Sequence, residues 1–455
     1  MKTEIGNNST DYSHLKWRVL IICSLGLFID GFDLYISAVA EPFIHHQIAV
    51  GPLGIGLIQA AAPIGATIGA IFIGRLADKI GRKSMLMMNL AFFVFAAILS
   101  GFAWSAASLI FFRFLVGFGV GADYPICAAY ISEMAPNKSR GKMAAFAMFM
   151  NCMAAPIGVL IALFIFKIYP NMNAWRIMLA IGAVPALVGL ILRARLPESF
   201  VWKVQSKLAR KSANSAKTVK KNTNWSEIFT SKYLKVTLAV CLCWFLMDIS
   251  YYGIALFTPA ILTALHFAQH GDFITATTQI VEKTLFLNVF IVVGALCSIF
   301  LIDKIGRIKL QKIGFLAAFA ALFALGMTSM FITAGAIGIM LGCFILYNFF
   351  INFGPGITTW MIPAEVYPTN IRATGHGFAA GFAKFGAFIG AMLLPLIQAD
   401  FGIDTVVLGL ALTMILGMIL TYMIPKETAN LSIAEIDKSC EELDTSVKVH
   451  AEHAV

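Results

Sequence analysis

Twelve stretches of this chain are apolar for long enough to cross a lipid bilayer, and no water-soluble fold can accommodate all of them. A helix needs about 20 such residues to span the hydrocarbon. Runs of that order fall at about 17–40, 53–73, 84–105, 107–131, 143–166, 175–194, 235–262, 284–302, 311–332, 335–361, 375–398 and 403–424. They are unbroken rather than alternating, which argues against the strands of a membrane barrel. Buried helices of a soluble protein are excluded by number, because little polar chain is left to enclose them. Composition agrees, with 59% hydrophobic residues against 13% charged. The expectation is an all-α membrane protein with twelve transmembrane helices.

An internal repeat divides those helices in two. Asp-Lys-Ile-Gly-Arg at 78–82 returns letter for letter at 303–307. Glu133, Pro136 and Arg140 share their spacing with Glu365, Pro368 and Arg372. A weaker echo sets Pro197-Glu198-Ser199 against Pro425-Lys426-Glu427-Thr428. The offsets of 225, 232 and 228 residues are each about half the chain. Such ordered matches mark a duplicated unit, whose functional site belongs where the copies face each other. The expected organisation is an N-terminal segment (1–16), a six-helix bundle (17–199), a basic linker (200–233), a second, pseudo-symmetric six-helix bundle (234–425) and a tail (426–455).

Lysine and arginine set the orientation. With the N-terminus in the cytoplasm, the inner connections carry Arg75, Lys79, Arg82, Lys83, Lys138, Arg140, Lys142, Lys304, Arg307, Lys309, Lys312 and Arg372. The outer ones carry only Lys167, Arg176 and Lys283. Both termini are therefore expected to be cytoplasmic, in a plasma (inner) membrane protein. The net charge of +10 does not call for nucleic acid, since the bases sit in connections where orientation accounts for them. The linker, with many bases against the lone Glu227, reads as a solvated connector. The first sixteen residues are polar, so the first apolar run is expected to serve as an uncleaved membrane signal. Seven of the eight cysteines fall inside apolar runs and read as packing residues, not as a disulfide framework.

Ionisable residues within the spans carry most of the functional information. Each costs about 2.5–3.5 kcal/mol at the centre of a membrane helix. Asp30 and Asp33 lie in the first span, Arg113 and Asp123 in the fourth, Asp248 in the seventh and Lys384 in the eleventh. One alone reads equally well as an ion pair that fixes helix packing. Together they point to a polar cavity between the bundles. Trp244, Asp248 and Tyr252, at i, i+4 and i+8, share one helical face. A carboxylate there stands between two aromatics with hydrogen-bonding groups. Tyr124, Asn151 and Asn352 add polar groups from other spans. No nucleophile–base pairing or metal-ligand spacing is visible, and Gly117-Phe118-Gly119 lacks the strand that a nucleotide loop needs. Neither enzyme activity nor a cofactor is expected.

At Gly74–Lys83 and its repeat the chain resembles the major facilitator superfamily, over essentially all twelve spans. The stretch Gly121–Pro125, the Trp244-Asp248-Tyr252 stripe and the segment Asn352–Gly377 make it most similar to the phosphate:proton symporter branch, related to the sugar porters. The resemblance implies two bundles rocking about a central site. It sets Tyr124, Trp244, Asp248 and Tyr252 at substrate positions, Asp123 and the first-span acids at proton-handling positions, and Lys384 at a matching lysine of the eleventh helix. The branch carries Gln where this chain has Asn151, and Asn where it has Gly356, which leaves room for an organic substrate.

These readings converge on proton-coupled symport of a small polar, anionic solute, inorganic phosphate or an organic metabolite, by alternating access. The expected substrate site is Tyr124, Asn151, Trp244, Asp248, Tyr252, Asn352 and Lys384, with Asp30, Asp33, Asp123 and Asp248 handling protons. Burial disfavours an ionised carboxylate and a nearby cation favours it, so alternate exposure can load and release a proton. Asp78, Arg82, Glu133, Arg140, Asp303, Arg307, Glu365 and Arg372 are expected to form charge networks and helix caps that favour closure to the cytoplasm. Two other readings stay open: a sugar or organic-acid facilitator or exchanger without obligatory proton coupling, and a membrane receptor that binds without transport. The expected partners are a small-molecule substrate and the bilayer, with the monomer as the working unit.

Overall fold

The computed structural model describes residues 9–48, 50–134, 139–196, 198, 225–265, 267, 273–330, 334–367, 371–424, 427–429, 431 and 435. Within its helices, the side chains at 9–15, 74–75, 77–79, 129, 132–134, 225, 334–336 and 373 are outside that description. So are the basic linker to residue 224 and most of the tail.

Each apolar run becomes a helix, because in lipid only a helix satisfies its own backbone. The first three spans are α1 (Ser9–Gln47), α2 (Pro52–Ile80) and α3 (Arg82–Gly101). The fourth is two helices end to end, α4 (Ala106–Gly121) and α5 (Asp123–Met134), followed by α6 (Arg140–Ile168). The sixth is divided into α7 (Ala174–Ala180) and α8 (Ala183–Ala194). The second half repeats the scheme with α9 (Ser231–Ala264), α10 (Phe273–Ile305), α11 (Arg307–Ser329), the divided pair α12 (Ala334–Phe353) and α13 (Pro355–Val366), and α14 (Arg372–Thr421). Eleven segments are long and apolar enough to cross a membrane. The last is a 50-residue helix bent at Gly402, whose φ of 84° only glycine adopts readily, and it supplies two spans. The twelve expected crossings are all present.

The repeated Asp-Lys-Ile-Gly-Arg motif marks equivalent corners. Gly81 and Gly306 hold φ of 117° and 95° and turn the chain from one span into the next. A glycine cannot cap the helix that follows with its own side chain, so distant carboxylates do so. Glu198 Oε1 accepts from the backbone N–H of Arg82 at 3.0 Å and of Lys83 at 3.2 Å. Glu427 accepts from Arg307 N at 2.9 Å and Ile308 N at 3.0 Å. Unpaired N–H groups and the positive end of a helix dipole both favour a carboxylate there. The faint third sequence echo is thereby explained, with Glu198 equivalent to Glu427, one residue off the register in which the prolines align.

The halves meet along two related seams, α2 against α14 and α6 against α10, with α1 crossing α9 between them. At the motif-bearing face, a methyl at Gly141 of α6 would overlap the Asp303 carboxylate and lie 2.5 Å from Arg307 Nη2, so the halves touch directly. At the opposite face, Phe43 of α1 packs edge-on against Phe273 of α10, with centroids 5.7 Å apart. His46 lies tilted against the same ring, with centroids 5.0 Å apart. The halves therefore touch at both ends of the seam.

Candidate functional site

Between these contacts lies a cavity lined by both halves. Asp30 and Leu34 come from α1, Tyr124 from α5, and Met148 and Asn151 from α6. The second half supplies Trp244, Met247, Asp248, Tyr251 and Tyr252 from α9, Asn352 from α12, Gly356 and Trp360 from α13, and Lys384 from α14. All seven residues expected to bind substrate are on its wall. Water-sized molecules fit within about 30 Å³ of it. At about 10–15 Å³ for each water, that is room for about two.

Lys384 is the centre of the arrangement. Its Nζ donates to Tyr252 Oη at 2.6 Å and to Asp248 Oδ2 at 3.3 Å. It also lies 4.4 Å from the ring centroids of both Tyr124 and Tyr252, so two π-faces share its charge. Tyr124 Oη donates to Asp30 Oδ2, which links the α1 acid to the same cluster. Trp360 lines the cavity with an indole Nε1–H that has no partner among the described residues. Asn151 spends its Nδ2 on Leu27 O at 2.6 Å. Asn352 donates to Asn348 O at 3.0 Å and accepts from Cys152 Sγ at 3.3 Å across the seam. Above the cluster, the hydroxyls of Tyr35 and Tyr251 meet at 2.9 Å and join the halves.

The other two acids have their own arginines. Asp33 accepts from Arg113 Nη1 at 2.7 Å, and the pair borders a second, smaller cavity that shares Asp30, Leu34, Tyr252 and Lys384 with the first. Asp123, in the first turn of α5, forms two bonds with Arg193 of α8, at 2.5 and 3.1 Å. Arg193 is 1% exposed, and Asp123 lines neither cavity although its neighbour Tyr124 lines the larger one. A buried carboxylate and guanidinium are retained in such a place only as a well-bonded pair.

A polar chamber between duplicated helical bundles is the architecture of a carrier, and the comparisons agree. The model of the sugar (and other) transporter family matches residues 19–439. The chain belongs to that family. Among solved structures it shares its fold with the major facilitator superfamily proton:xylose symporter XylE, at a TM-score of 0.77 and 20% identity over 94% of this chain and 99% of that one. Similar relatives include low affinity inorganic phosphate transporter 4 of Medicago truncatula, 28% identical over 94% of this chain and 93% of that protein. Another is low affinity inorganic phosphate transporter 1 of Petunia hybrida, 28% identical over 93% of each chain. The protein is a membrane transporter of the major facilitator fold, and not an enzyme.

The motif-bearing face holds a charged network. Arg307 binds Asp303 at 2.8 Å and Glu365 at 3.2 Å, and Thr428 Oγ1 donates to Glu365 at 2.6 Å. Arg140, from the first half, is within electrostatic reach of Glu365 and Arg307. Arg372 Nε donates to Tyr367 O at 3.2 Å, and Arg82 is buried at the capped start of α3. Of the expected gate residues, the side chains of Asp78 and Glu133 lie outside the described residues.

Sequence reasoning missed Tyr251, Trp360 and Arg193. Tyr251 was hidden beside Tyr252, since adjacent residues on a helix point apart and only one fits the Trp244 stripe. Trp360 follows a helix break at Gly354-Pro355 that upsets the count of faces. Arg193 sits near the end of an apolar run, where a basic residue reads as a topology signal.

Proposed function

We propose that the protein carries a small anion across the plasma (inner) membrane together with protons, by alternating access, with both termini and the motif-bearing face in the cytoplasm. The observation that carries this is Lys384, held in a buried cavity between Asp248 and two tyrosine rings, with Asp30 one hydrogen bond further on. Counting Lys384 against ionised Asp30 and Asp248, the chamber wall carries a net charge of −1 and repels an anion. One proton makes it neutral and two make it +1, so proton loading and anion binding favour each other. A protonated Asp248 also becomes a hydrogen-bond donor, which an anion needs and a carboxylate cannot supply.

The small cavity favours a compact solute, since a hexose requires the walls to part. The similar plant proteins are named as inorganic phosphate transporters, which makes phosphate the first solute to test. Tyr124, Asn151, Trp244, Asp248, Tyr252, Asn352 and Lys384 form the proposed substrate site. Asp30, Asp33 and Asp248 handle protons at or beside the chamber. Asp123 takes one only in a state where Arg193 has withdrawn. The gate residues stabilise the cytoplasm-closed state, and the monomer is the working unit. The test is a panel of solutes, inorganic phosphate first, offered to proteoliposomes with an imposed pH gradient. Accumulation that collapses with a protonophore supports the reading. Uptake that ignores the protonophore favours a facilitator, and binding without uptake a receptor.

A further inference from the structure

The smaller cavity has a chemistry of its own. Asp30 and Asp33 face it from α1, Gln59 from α2, Arg113 from α4, Tyr252 from α9 and Lys384 from α14. Gln59 and Arg113 are only 1% and 3% exposed. Ser37 Oγ donates to Gln59 Oε1 at 3.1 Å, which fixes the orientation of the amide and leaves Nε2 as its opposite end. Neither Gln59 Nε2 nor Arg113 Nε has a hydrogen-bond partner among the described residues. Buried donors are nearly always matched, by protein or by ordered water. The cavity admits water-sized molecules over about 20 Å³. That suits one water, which needs about 10–15 Å³ and two to four polar partners.

We propose that this cavity is a built site for a single water molecule that passes a proton between Asp33 and Asp30, and that Gln59 is the residue that positions it. With Asp33 ionised, the water accepts from Gln59 Nε2–H and Arg113 Nε–H and donates to both carboxylates. With Asp33 protonated, its O–H replaces the Arg113 N–H as second donor. In the transfer, the Asp33 O–H bond breaks as that proton bonds to the water oxygen. The water's own O–H facing Asp30 then breaks, and its proton bonds to the Asp30 carboxylate. One proton moves and the water is regenerated. Asp30 is bonded on its other side to Tyr124, so the proton arrives at the wall of the substrate chamber. The relay therefore joins the Asp33–Arg113 pair, which is outside the larger cavity, to the place where an anion binds. It rests on the proton-coupled reading, and gives that reading a route.

The test is infrared difference spectroscopy of the full chain in lipid, stepped between two pH values, with carboxyl C=O bands assigned through Asp30→Asn and Asp33→Asn. In the wild-type chain, Asp30→Asn should shift the Asp33 band, because the two acids share one water. In Gln59→Leu, which keeps the bulk and loses the donor, that cross-effect should vanish; Gln59→Asn should restore part of it. Ser37→Ala, which frees the amide to rotate, should weaken it. The ratio of pH-driven phosphate accumulation to phosphate exchange should fall about tenfold or more in Gln59→Leu. Independent bands in the wild-type chain, or a cross-effect untouched by Gln59→Leu in protein that elutes and melts like wild type, would overturn the relay. Wild-type vesicles that accumulate nothing under a pH gradient overturn the transport reading instead, and leave the infrared result to decide the relay.

Discussion

Gly141→Ala should push the carrier open at its motif-bearing face. The added methyl would overlap the Asp303 carboxylate and lie 2.5 Å from Arg307 Nη2. An exposed side chain would swing aside at little cost, but Arg307 is 2% exposed and tied to both Asp303 and Glu365. Either that network breaks or α6 moves away from the α10–α11 corner. Overpacking a tight contact costs about 1–3 kcal/mol. Charged to one conformation only, that is roughly a 5- to 150-fold shift in the open-to-closed ratio. The assay is the distance between spin labels placed on the motif-bearing ends of α6 and α10, in detergent and in nanodiscs. Gly409→Ala is the control, because a Cβ there meets nothing within 4 Å. A distance distribution unchanged by Gly141→Ala, in protein that remains folded, would refute the direct contact of the halves.

Lys384→Met should abolish anion binding and destabilise the protein by about 3–5 kcal/mol, because Asp248 is left buried and unpaired. Adding Asp248→Asn should restore much of the melting temperature without restoring transport; recovery of neither would count against the pair. Asp123→Asn should abolish proton-driven accumulation and leave exchange, and full accumulation in that variant would exclude Asp123 from proton handling. Because Arg193 loses its partner in that variant, thermal stability is measured alongside. Glu198→Ala and Glu427→Ala each remove a helix cap contributing about 0.5–2 kcal/mol. Similar falls in melting temperature for the two are expected from their equivalence, and an effect confined to one half would contradict it.

The fold was readable from the sequence because lipid removes most choices: a run of the right length must be a helix, and the exact Asp-Lys-Ile-Gly-Arg repeat then divides the helices. The chamber was readable because stranded charges are expensive, and Asp30, Asp248 and Lys384 do converge. What the sequence could not supply was partnership. Nothing in the spacing of Asp33 and Asp123 distinguishes an acid on the chamber from one tied to an arginine of another helix. The structure gives Asp33 to Arg113 at a cavity wall and Asp123 to Arg193 away from it. Glu198 and Glu427 show the same limit. Their motif was visible as an echo, but its register emerged only when both carboxylates were found on the N–H groups after Gly81 and Gly306.

The central claim is that the buried charges line a wet chamber open to each side in turn. Leu34 borders both cavities without joining the charge network, so it can report on them. The measurement is Leu34→Cys in a chain stripped of its eight native cysteines, labelled in vesicles by a small membrane-impermeant thiol reagent from one side and then the other. Reaction from both sides, slowed by phosphate or whichever solute the panel identifies, is the predicted result. Reaction from one side only, or none from either, would contradict the account.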